Sequence, residues 1–139
     1  RLSLATAREA LGGFEALTFF EEGAGPEGET GLVQARPEIA GDIVLARKDV
    51  GVAYHLAVVH DDALQGVTHV IRGQDLFEAA HIQRLLQALL DLATPTYRHH
   101  GLLLGPDGKR YAKRDRAETL RELRAAGMTA AALRKELGF

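Results

Sequence analysis

Four cations crowd the stretch PDGKRYAKRD, residues 106–115: Lys109, Arg110, Lys113 and Arg114. Pro106, Asp107 and Gly108 are turn formers, and the cations that follow sit on a segment too polar to be core. Such a turn is either a solvated tip or a clamp for phosphate. A lysine on a short loop is a mobile point charge for triphosphate oxygens, and arginine adds a planar fork. Stabilising charge that develops on phosphate during reaction is the chemical reason to gather such groups.

Arg72 is the second candidate. It closes the run VTHVIRG, just before Gly73 and Asp75. Open α/β sheets hold ligands at the carboxyl ends of their strands, where a guanidinium can grip a carboxylate with two N–H groups. An ion pair with Asp75 or Glu78 is the competing explanation. Tyr54 falls in the apolar run AYHLAVVHD, read here as a strand in which a buried hydroxyl needs a partner. On a strand end Asp61 and Asp62 point opposite ways and share no metal, so one of them reads as a helix cap. His99 and His100 face opposite sides in the same way, and His55, His60, His69 and His81 lack metal-ligand spacing. The chain has no Cys, which excludes a disulfide framework or a thiolate zinc site within it. Neither a Gly-x-Ser-x-Gly elbow, a phosphate-binding P-loop nor a His-Glu-x-x-His motif occurs, which leaves hydrolase and P-loop chemistry without support.

The elements that must position these residues read as an alternation of helix and strand, the pattern of an α/β fold. SLATAREALGG is a short helix, with Thr6 and Glu9 at capping-box spacing and Gly12–Gly13 as its stop. ALTFFEE is strand-like, and residues 23–31 form a Gly-rich loop. GDIVLARKD and AYHLAVVHD are expected to pair as strands, followed by a turn or single helical turn at DDALQG and the strand VTHVIRG. Asp75 is placed to cap the helix LFEAAHIQRLLQALLDL, whose Leu and Ile recur at helical spacing. A strand then runs into LLL, with a turn at Gly105–Gly108 and two short helices split by Gly127.

At 139 residues the chain suits one domain. Its formal charge of −2 hides an asymmetry. Residues 1–97 carry seven Lys and Arg against fourteen Asp and Glu, whereas residues 98–139 carry ten against five. That points to a polyanionic partner for the C-terminal part, where Arg116, Arg121, Arg124, Arg134 and Lys135 could meet RNA phosphates. Solvated amphipathic helices would explain the same arginines. No apolar run approaches the roughly 18 residues of a membrane span, and the expectation is a cytoplasmic monomer.

Taken together, YHLAVVHDDALQGVTHVIRGQDL and PTYRHHGLLLGPDGKRYAKRD resemble the catalytic core of glutamyl-type class I aminoacyl-tRNA synthetases. That family has a strand carrying Tyr, an Asp-Asp turn, a THVIRG strand and a Lys-rich signature loop in this order and at this spacing. The resemblance runs from about residue 41 to 139 and is strongest over 41–114, with helices over 115–139. It implies the C-terminal half of a Rossmann-like catalytic core, an ATP-dependent ligase. Tyr54 and Arg72 fall on its L-glutamate positions. Arg110, Tyr111, Ala112, Lys113 and Arg114 fall on its ATP-binding signature loop, with Lys113 as the ATP-contacting, catalytic lysine. The loop departs from the family pattern in having Arg110 for its first Lys and Ala112 for its Ser. Implied partners are L-glutamate, ATP with Mg2+, and tRNA.

Only 25 residues follow Arg114, which makes the resemblance best to the short branch that transfers glutamate to the queuosine base of tRNA(Asp). A fragment of a conventional glutamyl-tRNA synthetase and a non-catalytic nucleotide- or RNA-binding module are the alternatives. The family's His-Ile-Gly-His-type signature and its Cys-rich zinc segment are absent from this sequence. Residues 1–139 alone are therefore expected to be inactive, and any zinc site of the parent lies outside them.

Overall fold

The computed structural model describes residues 1–49, 51–105, 108 and 119–138. They fall into two compact units, Arg1–Leu102 and Leu103–Phe139. The signature-loop residues Arg110, Tyr111, Ala112, Lys113 and Arg114 lie outside the described residues.

In the first unit α1 spans Leu4–Leu11. Its cap is Ser3, whose hydroxyl accepts the Thr6 N–H, rather than the Thr6–Glu9 pair expected from spacing. Gly12, at φ 69°, ends it. β1 (Thr18–Glu21) and β2 (Gly31–Gln34) pair antiparallel. Ala46–Arg47 and Gly51–Val52 pair antiparallel as two strands of two residues each, β3 and β4, separate from the main sheet.

The run AYHLAVVHD corrects the strand expectation. Tyr54–Gln65 is a helix, α2, closed by Gly66 at φ 67°. Val58 and Val59 suggest a strand, but the half-buried and buried positions His55, Val59, Asp62 and Ala63 recur at helical spacing. Packing of that face against the next helix decides the matter. Asp61 and Asp62 consequently lie inside a helix and cap nothing.

β5 (His69–Gly73) follows as expected, then a 3-10 turn at Gln74–Leu76 and α3 (Phe77–Leu89). The residue at the α3 cap is Leu76, so Asp75 does not cap it. β6 (Thr96–His100) ends before the LLL run. The main sheet has the order β2-β1-β6-β5, with β6 parallel to both β1 and β5. Two parallel neighbours joined by a helix form a β-α-β crossover.

Phe19 sits at the centre of the core, with the rings of Phe77, His81 and Tyr97 edge-on at 5.9, 5.3 and 5.4 Å. Full burial of one such ring stabilises the unit by roughly 2 kcal/mol. His81 belongs to this core, and its Nδ1 accepts the Arg36 N–H at 3.2 Å. Burial pushes the His81 imidazole below the ordinary 6.5, and the nearby Arg36 charge pushes the same way. His55 is lowered too, by burial first and then by Arg72.

Below pH 6.5 the unfolded chain therefore binds more protons than the folded one at both histidines. Their contribution to stability is complete above that value and is lost as the pH falls through it. The melting temperature is expected to drop between about pH 7 and about pH 5.5. A melting temperature that holds or rises over that interval contradicts this.

The second unit contains α4 (Leu120–Ala125) and α5 (Ala130–Glu136), split at Gly127 as the sequence suggests. Thr119 and Glu122 make a reciprocal capping box, and those hydrogen bonds hold the Glu122 carboxyl below its usual range. The Gly105–Gly108 turn is closed by the Gly108 N–H on the Gly105 carbonyl at 2.9 Å. Arg121, Arg124, Arg134 and Lys135 are all exposed, available to a polyanion or to water alike.

Candidate carboxylate-binding site

Strand alternation puts one row of polar side chains on a face that should be apolar. On β1 the buried positions are Phe19 and Glu21, and on β6 they are Tyr97 and His99. Arg72 of β5 is in register with His99, and Glu21 with Tyr97. Glu21, His99 and Arg72 thus form a row across three neighbouring strands, and Gln83 of α3 joins it. Glu21, His99 and Gln83 are 0, 2 and 2% exposed. Burying such groups is costly unless each finds a partner.

The partners form a chain. Glu21 Oε1 accepts the backbone N–H groups of Gly23 and His99, each at 2.8 Å. Glu21 Oε2 lies 2.6 Å from His99 Nδ1. At the other side of the ring, Arg72 Nε donates to His99 Nε2 at 3.0 Å. Arg72 Nη1 donates to Gln83 Oε1 at 2.9 Å. A cation–π contact adds to this, with the Arg72 guanidinium carbon 5.1 Å from the Tyr97 ring centroid. Gly23 is required here because a Cβ would come within 2.1 Å of the His99 carbonyl oxygen.

Arg72 Nη2 and Gln83 Nε2 are left buried without a hydrogen-bond partner among the described residues, and so is His55 Nδ1. An unpaired guanidinium N–H is costly to bury, and it is paired as soon as an anionic acceptor arrives. A carboxylate supplies that acceptor.

Arg72 therefore stands where the sequence places it, at the carboxyl end of a parallel strand. Its described hydrogen bonds run to His99 and Gln83. Tyr54 is the first residue of α2, 53% exposed, with its ring edge-on to His55 at 5.4 Å. It is neither buried nor on a strand. Its neighbour His55 feels the Arg72 charge, which links the start of α2 electrostatically to the Arg72 site. Asp62, on the same helix, is raised by burial and partly lowered by Arg72. Glu21, His99 and Gln83 were not singled out as site residues from sequence. A glutamate two positions after Phe19, on the buried face of a strand, is the signal that could have found the first.

A cleft of about 320 Å³ opens near the amino ends of β5 and β6, lined by Thr68, Pro95, Asp62, Asp91 and neighbours. Its ionisable groups are acidic, which does not suit phosphate. No cluster of three His, Asp or Glu suited to a metal occurs among the described residues. Nor is any of their helices long and apolar enough to cross a membrane.

Comparison with known proteins agrees with an α/β fold built on a parallel sheet. Glutamyl-Q tRNA(Asp) synthetase of Rhodobacter capsulatus is 52% identical over 126 residues, 88% of this chain and 45% of its own length. The protein of that name from Symbiobacterium thermophilum is 48% identical over 124 residues, 87% of this chain and 38% of its own. This chain thus spans less than half the length of these relatives. Among solved structures, glutamate-tRNA synthetase of Elizabethkingia anophelis superposes with a TM-score of 0.57 and 28% identity, over 70% of this chain and 19% of that one. Glutamate tRNA ligase of Elizabethkingia meningosepticum, solved in complex with its amino acid, gives 0.53 and 32% over 61% of this chain and 17% of its own. Residues 28–138 match the family described as tRNA synthetases class I (E and Q), catalytic domain, and the chain belongs to that family.

Proposed function

We propose that the complete encoded protein activates L-glutamate with ATP and transfers it to the queuosine base of tRNA(Asp), a modification rather than a charging of the tRNA. The observation that carries this reading is the buried Nη2 of Arg72 at the carboxyl end of β5, without a hydrogen-bond partner among the described residues. The name shared by the two relatives supports the acceptor.

In the first step a glutamate carboxylate oxygen attacks the α-phosphorus of ATP, and pyrophosphate leaves. In the second, an acceptor hydroxyl attacks the acyl carbon and AMP leaves. Arg72 holds a carboxylate of the substrate, and Tyr54 closes the same site from the start of α2. Lys113, with Arg110 and Arg114 near it in sequence, stabilises charge on the phosphates of the nucleotide. Mg2+ would enter as part of the nucleotide substrate and add to the charge that Lys113 sets against the phosphates. The work of these residues is positioning and electrostatics, and no general base is required of them.

The test is transfer of labelled glutamate by the complete encoded protein to tRNA(Asp) with and without queuosine, and to tRNA(Glu). Label on queuosine-containing tRNA(Asp) alone is expected. Label on tRNA(Glu) would make the protein a conventional glutamyl-tRNA synthetase, and no label on any of the three would leave a binding module.

A further inference from the structure

We infer that Glu21 and His99 are positioning residues for substrate specificity: through a fixed imidazole tautomer they aim the Arg72 guanidinium so that its Nη2 is free for the substrate carboxylate. The inference rests on the glutamate reading of Arg72 above and adds what holds that arginine in place.

The polarity of the chain follows from donor and acceptor capacity. A guanidinium only donates, so the lone pair on His99 must be at Nε2, where Arg72 Nε–H points at 3.0 Å. The imidazole proton is then on Nδ1, donated to Glu21 Oε2 at 2.6 Å. Glu21 faces this proton with Oε2, which accepts it. Its other oxygen is already fixed by two backbone N–H groups at 2.8 Å. Every bond in the row therefore has one direction, set by the buried carboxylate on β1. The row reaches an arginine two strands away, and Gln83 Oε1 holds Nη1 at 2.9 Å. Nε–H and one N–H of Nη1 are thus occupied, and Nη2 is the guanidinium nitrogen left without a partner among the described residues.

An isosteric change exposes this logic. In Glu21→Gln the amide oxygen keeps the two backbone donors, which turns the new NH2 toward His99 Nδ1. The opposite amide orientation sets the NH2 against two backbone N–H groups and is worse. His99 must then accept at Nδ1 and carry its proton on Nε2, where it meets Arg72 Nε–H donor against donor. The guanidinium is pushed out of aim although no side chain has changed size.

The experiment measures glutamate-dependent ATP–pyrophosphate exchange in the complete encoded protein, with KM for glutamate and for ATP. The His99 tautomer is read from imidazole nitrogen NMR shifts. Unmodified protein should show a proton on Nδ1, and Glu21→Gln a proton on Nε2. Glu21→Gln should raise the glutamate KM about 10- to 100-fold and the ATP KM by less than about twofold. His99→Gln still offers Arg72 an acceptor, so it should stay within about fivefold of the unmodified glutamate KM. Glu21→Gln added to His99→Gln should then cost little more.

Arg72→Lys provides the reference. If it raises the glutamate KM while Glu21→Gln does not, the positioning role is wrong and the glutamate reading stands. If Arg72→Lys changes nothing, or the unmodified protein shows no exchange with glutamate, both fall together. Equal rises in the two KM values with Glu21→Gln, or an unchanged tautomer, would reduce Glu21 to a structural residue.

Discussion

Arg72→Ala in the complete encoded protein is expected to raise the glutamate KM by about 100-fold or more and leave the ATP KM within about twofold. If Arg72 holds the substrate carboxylate as proposed, that carboxylate loses its charged partner, and the loss falls on the amino acid because no nucleotide contact is proposed for this residue. Truncation also strips His99 Nε2 and Gln83 Oε1 of the donors they face at 3.0 and 2.9 Å. Each buried group left unpaired costs roughly 1–3 kcal/mol, so the melting temperature should fall as well. Arg72→Lys separates the two effects. It keeps a cation but replaces a planar fork by a point charge, and cannot serve His99, Gln83 and a substrate with the same geometry. A glutamate KM that ignores both substitutions would remove Arg72 from the site.

Lys113→Ala is expected to lower kcat for glutamate activation about 100- to 1,000-fold, the usual cost of deleting one preorganised donor to developing charge. Its glutamate KM should hardly move, the reverse of Arg72→Ala. The basis for this proposal is sequence: Lys113 is the second lysine of the signature pattern, in a segment that lies outside the described residues. The neighbouring Arg110 and Arg114 keep the loop cationic in the variant, so the prediction concerns one ammonium group and not overall charge. Single-turnover formation of the glutamyl adenylate is the readout. A rate within about threefold of the unmodified protein would mean that the basic turn is only solvated.

Strong periodicity and punctuation made much of this fold readable. Leu85, Leu86 and Leu89 announced α3, Gly127 separated α4 from α5, and the β-branched run ending in Arg72 announced β5. α2 was misread because Val58 and Val59 favour extended backbone locally, and only packing on α3 reveals a helix. Capping was misassigned at both Thr6 and Asp75, since boundaries shift with the first hydrogen-bonded turn.

The candidate site was half legible. Arg72 stood out as a cation closing an apolar strand. Glu21 and His99 are 78 positions apart, and their pairing exists only once β1 and β6 lie side by side. No spacing in the sequence encodes such a contact. A carboxylate and an imidazole on the inward positions of two strands were the available clue, and it is one that only burial makes decisive.

The most direct measurement is the position of bound glutamate in a crystal structure of the complete encoded protein. A substrate carboxylate oxygen is expected at about 2.8 Å from Arg72 Nη2, with the His99 and Gln83 bonds to the same guanidinium intact. Glutamate bound elsewhere, with Nη2 still unpaired, would contradict it.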